Sequence, residues 1–214
     1  MKFSAKKTVL IGMLAAIAYV VMFVFRIPVV LFLKYEPKDV IITIGGFLFG
    51  PMASFVVSFV VSLLEMVTIS ETGIIGGIMN LISTCSFACV AAFVYKKQHT
   101  LKGAIAGLAL GSALMVVTML LWNWLITPLY MGVDRATVEG MLIPAFLPFN
   151  LLKAGLNSAL TIGLYKPLST ALRKIGLVEA RTTGAKSSKT GVYLFAGALL
   201  VTCILLLLVF QGKI

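Results

Sequence analysis

Charge is scarce in this chain, and negative charge is scarcer still. Only 12% of the 214 residues are charged, with 7 Asp and Glu against 18 Lys and Arg. A soluble domain carries about a quarter charged residues, so an ordinary water-facing surface is excluded. Histidine occurs once, as His99 in the polar turn Lys96-Lys97-Gln98-His99. That excludes a His-based metal or catalytic centre. No relay of acids runs through the apolar segments, as a proton-driven carrier would need. The nearest match to a phosphate loop, Gly184-Ala-Lys-Ser-Ser-Lys189-Thr190, lacks the glycine before the lysine and any preceding strand. The chain therefore does not hydrolyse ATP by itself. The three cysteines, Cys85, Cys89 and Cys203, all lie in apolar runs and read as small core residues.

What remains is hydrocarbon. The chain is 60% hydrophobic. Nearly charge-free runs occupy Thr8–Phe25, Ile74–Tyr95, Gly103–Thr127, Met141–Tyr165 and Gly191–Phe210. Each suffices to cross a hydrocarbon core of roughly 30 Å. The first run follows Lys2, Lys6 and Lys7 but is too long for a signal-peptide core, and no small-x-small cleavage site closes it. The fold class is an all-α polytopic membrane protein, with the lipid bilayer as solvent and no nucleic-acid partner.

Asp39–Thr68 would run about 45 Å as one helix. Gly45-Gly-Phe-Leu-Phe-Gly50-Pro51 interrupts it, and Gly with Pro breaks helices. The expectation is a half-length helix, Asp39–Phe49, and a full one, Pro51–Thr68, restarting on a proline at its first position. That gives six spans in a core (1–175), a basic linker (176–190) and a seventh span (191–214) without a polar stripe, read as an anchor. With the N-terminus inside, twelve of the eighteen basic residues face the cytoplasm against one acid, Glu179. An unsplit helix with the N-terminus outside would give the same sidedness from Ile74 onward. The breaker and the excess length favour the split.

The most informative residues sit in Pro148-Phe-Asn-Leu-Leu-Lys-Ala-Gly-Leu-Asn157. Asn150, Lys153 and Asn157 fall on one helical face, at i, i+3 and i+7. A lysine and two carboxamides in hydrocarbon are costly unless they face a cavity or a partner. Other polar residues gather at the same ends of the spans: Lys34-Tyr35-Glu36-Pro37-Lys38-Asp39 in the first loop, Glu65, Asn80, and Trp122-Asn123-Trp124 with Tyr130. Aromatic rings, amides and one ammonium suit a flat ligand with a polar edge. Simpler roles exist: an interfacial belt for Trp122, Trp124 and Tyr130, interhelical bonds for Asn80 and Asn123, snorkelling for Lys153, and a solvated face or helix cap for Glu36 and Asp39.

The short second span, the Gly-Gly-Phe-Leu-Phe-Gly-Pro turn and the Asn-Leu-Leu-Lys stripe resemble the substrate-binding S-components of energy-coupling factor (ECF) vitamin transporters. The likeness covers about residues 5–175 and is greatest to the riboflavin-binding members. It implies a six-helix S-component core plus one extra C-terminal transmembrane helix, with an outward pocket roofed by the first loop. It also implies riboflavin or flavin mononucleotide (FMN) as cargo, no cofactor and no enzymatic activity. The partners implied are a transmembrane coupling protein and two ATPases. The site residues expected are Tyr35, Asp39, Asn80, Asn123, Trp124, Asn150, Lys153 and Asn157, with Trp124 or Tyr35 stacking on the ligand. Lys153→Met is expected to weaken binding and leave folding intact. The family docks through an alanine-x-x-x-alanine pattern on the first helix, for which Gly12-x-x-x-Ala16 is the nearest match. Alternatives are another vitamin (thiamine, biotin, pantothenate), an intramembrane enzyme, or a ligand-free scaffold. A cationic vitamin such as thiamine would favour Glu36, Glu65 and Glu71.

Overall fold

The computed structural model describes residues 5–70, 72–174 and 190–213. Helix α1 (Ala5–Val24) leads into strands β1 (Ile27–Val30) and β2 (Leu33–Tyr35). The half-length α2 (Lys38–Phe49) and α3 (Pro51–Thr68) follow. Next come α4 (Gly73–Thr84), a π-helical turn (Cys85–Cys89), α5 (Val90–Gln98) and α6 (Leu101–Met131). The chain then runs through α7 (Arg135–Met141), a second π turn (Leu142–Phe146), α8 (Leu147–Lys174) and α9 (Thr190–Phe210). Among the described residues, five helices are long and apolar enough to span a membrane: α1, α3, the Gly73–Gln98 run, α6 and Gly191–Phe210. At 28 residues α8 is about 42 Å long, and its polar stripe lowers its hydropathy.

The break in the second segment falls where the glycine and proline require it. Gly50 has φ of +95°, a conformation open to glycine, and Pro51 occupies the first turn of α3, where its missing N–H costs nothing. Several boundaries differ from expectation: the first span is Ala5–Val24, not Thr8–Phe25, and α2 starts one residue earlier, at Lys38. The Ile74–Tyr95 span extends to Gly73–Gln98 and carries a π turn, and the Gly103–Thr127 span lengthens to Leu101–Met131. The Met141–Tyr165 span is α8, entered through a π turn that accommodates Pro144, which has no N–H to donate. The first loop is not irregular. It is an antiparallel hairpin pairing Ile27 with Tyr35 and Val30 with Leu33, closed through Leu31 at φ 52°. Among the described residues the fold is thus all-α apart from this ribbon. The basic linker expected at 176–190 lies outside the described residues, save Thr190.

Two apolar clusters hold the bundle. One joins α1, α2, α3, α5 and α6 through residues such as Met22, Val57, Phe87, Met115 and Met119. The other lies beneath the hairpin and joins Val29, Leu33 and Tyr35 to Phe146, Phe149, Leu152, Leu156 and Cys203. Helix α9 packs along α8 and reaches β1, so it is more than a peripheral anchor. Gly12 and Ala16 lie on the exposed face of α1, and a Cβ on Gly12 would meet nothing within 4 Å.

Helix α6 approaches its neighbour through two glycines. A Cβ on Gly107 would lie 2.6 Å from the Ala91 carbonyl, and one on Gly111 2.5 Å from the Phe87 carbonyl. Both obstacles are backbone and cannot turn aside. Gly111→Val is therefore expected to cost about 1–3 kcal/mol, seen as earlier loss of monodisperse protein on heating in detergent. Gly163→Ala, in open space, serves as the neutral control. Equal melting of the two variants would contradict this packing.

Candidate functional site

The cleft opens at the end of the bundle where the hairpin lies. Its walls are Arg26, the hairpin segment through Phe32, Leu33, Lys34 and Glu36, then Glu65, Thr72, Met79, Asn80 and Ser83. Met119 and Asn123 of α6, with Phe149, Asn150 and Lys153 of α8, complete it. It is narrow, a cavity of about 50 Å³. The polar ends of the spans thus converge, as their positions in the sequence suggest.

Below the cleft lies Asp39, fully buried in the first turn of α2. It neither caps the helix nor faces solvent: no side-chain cap bond is made there. One carboxylate oxygen accepts from Thr84 Oγ1 at 2.7 Å. The other accepts from Asn157 Nδ2 at 3.1 Å and pairs with Lys153 Nζ at 3.2 Å. Tyr35 donates to Asn157 Oδ1 at 3.1 Å, tying the hairpin to the same node. Burial, with the Asp39 carboxylate nearby, raises the Tyr35 phenol above its usual pKa, so it remains a donor. Lys153 also donates to Ser83 Oγ at 3.3 Å.

A second network closes the adjoining wall. Lys38, with no exposed surface, is held between Glu36 at 2.7 Å and Glu65. Arg26 pairs with Glu36 at 2.9 Å, and Asn80 donates to Glu65 Oε1 at 2.6 Å. The Lys38 ammonium also contacts Met22 Sδ at 3.3 Å. Glu36 and Glu65 are therefore committed to cations of the protein itself. Glu71 lies outside the described residues.

Of the residues singled out in the sequence, Asn80, Asn123, Asn150 and Lys153 line the cleft. Tyr35, Asp39 and Asn157 sit behind its surface as a bonded support. Asn123 donates to its own helix at Met119 O and accepts from Thr127. Asn150 donates to Phe146 O, also on its own segment. Trp124 is elsewhere: its indole donates to Glu139 at 2.8 Å, and Arg135 lies 4.8 Å from its ring centroid. The apolar faces of the cleft are instead Phe32, Phe149, Met79 and Met119. Three of these were legible as neighbours of polar residues: Phe149 precedes Asn150, Met79 precedes Asn80, and Met119 lies one helical turn before Asn123. Because Lys153 neutralises a buried carboxylate, Lys153→Met also removes a structural partner. The expectation that such a variant isolates binding from folding does not survive this pairing.

The chain matches the family model described as the substrate-specific component of ECF transporters over residues 6–165. It is 30% identical over 178 residues to the riboflavin transporter RibU of Staphylococcus aureus, covering 79% of this chain and 94% of that protein. To the riboflavin transporter FmnP of Bacillus subtilis it is 31% identical over 159 residues, covering 69% of this chain and 84% of that one. A solved structure of the S component of a bacterial ECF transporter superposes with a TM-score of 0.67 at 30% identity. That match covers 78% of this chain and 98% of the other.

The ion network of Arg26, Glu36, Lys38 and Glu65 sets a clear expectation. Lys38→Met leaves two buried carboxylates short of a cation and should cost about 3–5 kcal/mol. Adding Glu65→Gln should recover a large part of that loss, a coupling of about 1–3 kcal/mol in a double-mutant cycle on thermal unfolding. Strictly additive losses would show that the pair does not interact.

Proposed function

The chain belongs to the family of ECF transporter substrate-specific components, and from that premise we propose that its hairpin-roofed cleft binds riboflavin for import. As a transporter component, and not an enzyme, it takes the flavin as cargo and not as a cofactor. The observation that carries the ligand is the make-up of the cleft. Phe32, Phe149, Met79 and Met119 offer apolar and polarisable faces, while Asn80, Asn123 and Asn150 offer amides at its edge. A fused aromatic ring with one hydrocarbon end and one imide-like end matches both in chemistry, and the cavity of about 50 Å³ must widen, by movement of the hairpin, to admit it. Similarity to two riboflavin transporters supports the same ligand. Asp39, Asn157 and Tyr35 act behind this surface by fixing Lys153 and α8. A cationic vitamin is disfavoured because Glu36 and Glu65 already neutralise Arg26 and Lys38.

The protein is a multi-pass membrane protein. We assign the cleft end to the outside and the N-terminus to the cytoplasm, because Lys6, Lys7, Lys96, Lys97, Lys102 and Lys166 lie at the opposite ends of their helices. Energy for delivery comes from the partner module, a coupling protein with two ATPases. The small residues Gly12 and Ala16, exposed on α1, offer that coupling protein a close helix–helix approach.

Titration of riboflavin, FMN and thiamine against the purified protein, read by quenching of flavin fluorescence or by calorimetry, tests the ligand. Riboflavin should bind tightly and thiamine should not. Asn150→Ala is the cleanest site variant, because the Asn150 amide bonds within its own segment, to Phe146 O. Its riboflavin affinity should fall about tenfold, the worth of one good hydrogen bond. Unchanged affinity removes Asn150 from the site, and thiamine binding in place of riboflavin overturns the assignment. Gly12→Leu should keep riboflavin binding and lose vitamin uptake in cells that supply the coupling module. Normal uptake by that variant would move docking elsewhere on the protein.

A further inference from the structure

The family match ends at residue 165, and the superposed S component is covered almost in full by 78% of this chain. Helix α9 lies beyond that shared core, yet it is not isolated from the site. A two-stranded ribbon is marginal by itself and needs an apolar surface to rest on. Here the hairpin rests Val29, Leu33 and Tyr35 on a cluster that includes Cys203 of α9, with Leu199, Leu200, Leu207 and Phe210 packed around it. The approach is close. A Cβ on Gly155 of α8 would stand 2.7 Å from Cys203 Sγ, so the two helices meet where α8 has no side chain. Just past the helix, Gln211 Nε2 donates to the carbonyl of Pro28 in β1 at 3.0 Å.

These contacts lead to the site through strand pairing and a chain of hydrogen bonds. The strand that α9 contacts, β1, pairs its Ile27 with Tyr35 of β2, which donates to Asn157, which donates to Asp39, which holds Lys153. The same hairpin segment supplies Phe32, Leu33, Lys34 and Glu36 to the cleft wall. We propose that α9 is a brace on the roof: Leu207, Phe210 and Gln211 are positioning residues that hold the hairpin down over the cleft and thereby set how slowly bound ligand leaves. This rests on the cleft being the ligand site. Its consequence is kinetic, since a ligand under a retained roof exchanges only when the hairpin lifts.

The test uses the full chain. Phe210→Ala/Gln211→Ala removes the bond to Pro28 and a side chain packed on the cluster beneath the hairpin. Leu205→Ala/Leu206→Ala, at exposed lipid-facing positions, is the control. Two readouts are taken: the riboflavin dissociation rate by stopped-flow fluorescence, and amide hydrogen exchange across residues 27–35 in the ligand-free protein. The brace predicts dissociation about tenfold faster and faster hairpin exchange in the first variant, with exchange in α3 and flavin stoichiometry unchanged, and no change in the control. Unchanged hairpin exchange overturns the brace. Faster exchange with an unchanged dissociation rate also overturns it, because the roof would then not limit release. If the wild-type protein binds no riboflavin, the ligand assignment alone fails, and hairpin exchange still decides whether α9 holds the roof.

Discussion

Asp39 is the constraint on which the site depends. A carboxylate with no exposed surface inside a membrane bundle carries a large desolvation cost, and it persists only if cations and donors surround it. Those partners come from two helices, Thr84 from α4 and Lys153 and Asn157 from α8, and Tyr35 of the hairpin is bonded in turn to Asn157. The start of a helix also favours a negative charge, which suits its place in the first turn of α2. One residue therefore joins the half-length helix, two long helices and the roof. The cleft can be narrow and defined because its supporting side chains have little freedom left.

Electrostatics then shape what the cleft offers. The charges nearest it are largely spent on one another: Arg26 and Lys38 on Glu36 and Glu65, Lys153 on Asp39. What faces the cavity besides these pairs is amide and apolar surface. A neutral ring with hydrogen-bonding edges fits such a wall better than a cation does. The same pairing makes Lys153 a poor probe of binding by itself, since its loss disturbs Asp39 first.

Much of the architecture is legible in the sequence because its signals are local. Gly50-Pro51 marks the break between α2 and α3, and Asn150, Lys153 and Asn157 mark the polar face of α8 through helical spacing alone. The remainder depends on contacts far apart along the chain. Asn157 meets Asp39 across 118 positions and Tyr35 across 122, and no local pattern encodes either meeting. Lys38 sits in a charged stretch whose acids can be read as a solvated face or a helix cap, yet its ammonium is buried between nearby Glu36 and Glu65, 27 positions on. Ile27–Val30 contains a proline and spans four residues, too short and too interrupted to stand out as a strand. Trp124 has the chemistry of a stacking platform, but Arg135 and Glu139 hold it away from the cleft. Helix α9 reads as a bare lipid anchor because its apolar sequence carries no polar stripe, and its link to the hairpin runs through the cluster around Cys203 and through Gln211.

The most direct measurement is an experimental structure of the full chain with riboflavin bound. The account predicts the ring between Phe32, Phe149, Met79 and Met119, its polar edge within hydrogen-bond distance of Asn150 or Asn123, and the Asp39–Lys153 pair intact beneath it. Flavin seated elsewhere, or a bound state in which Asp39 has lost its partners on α8, would contradict it.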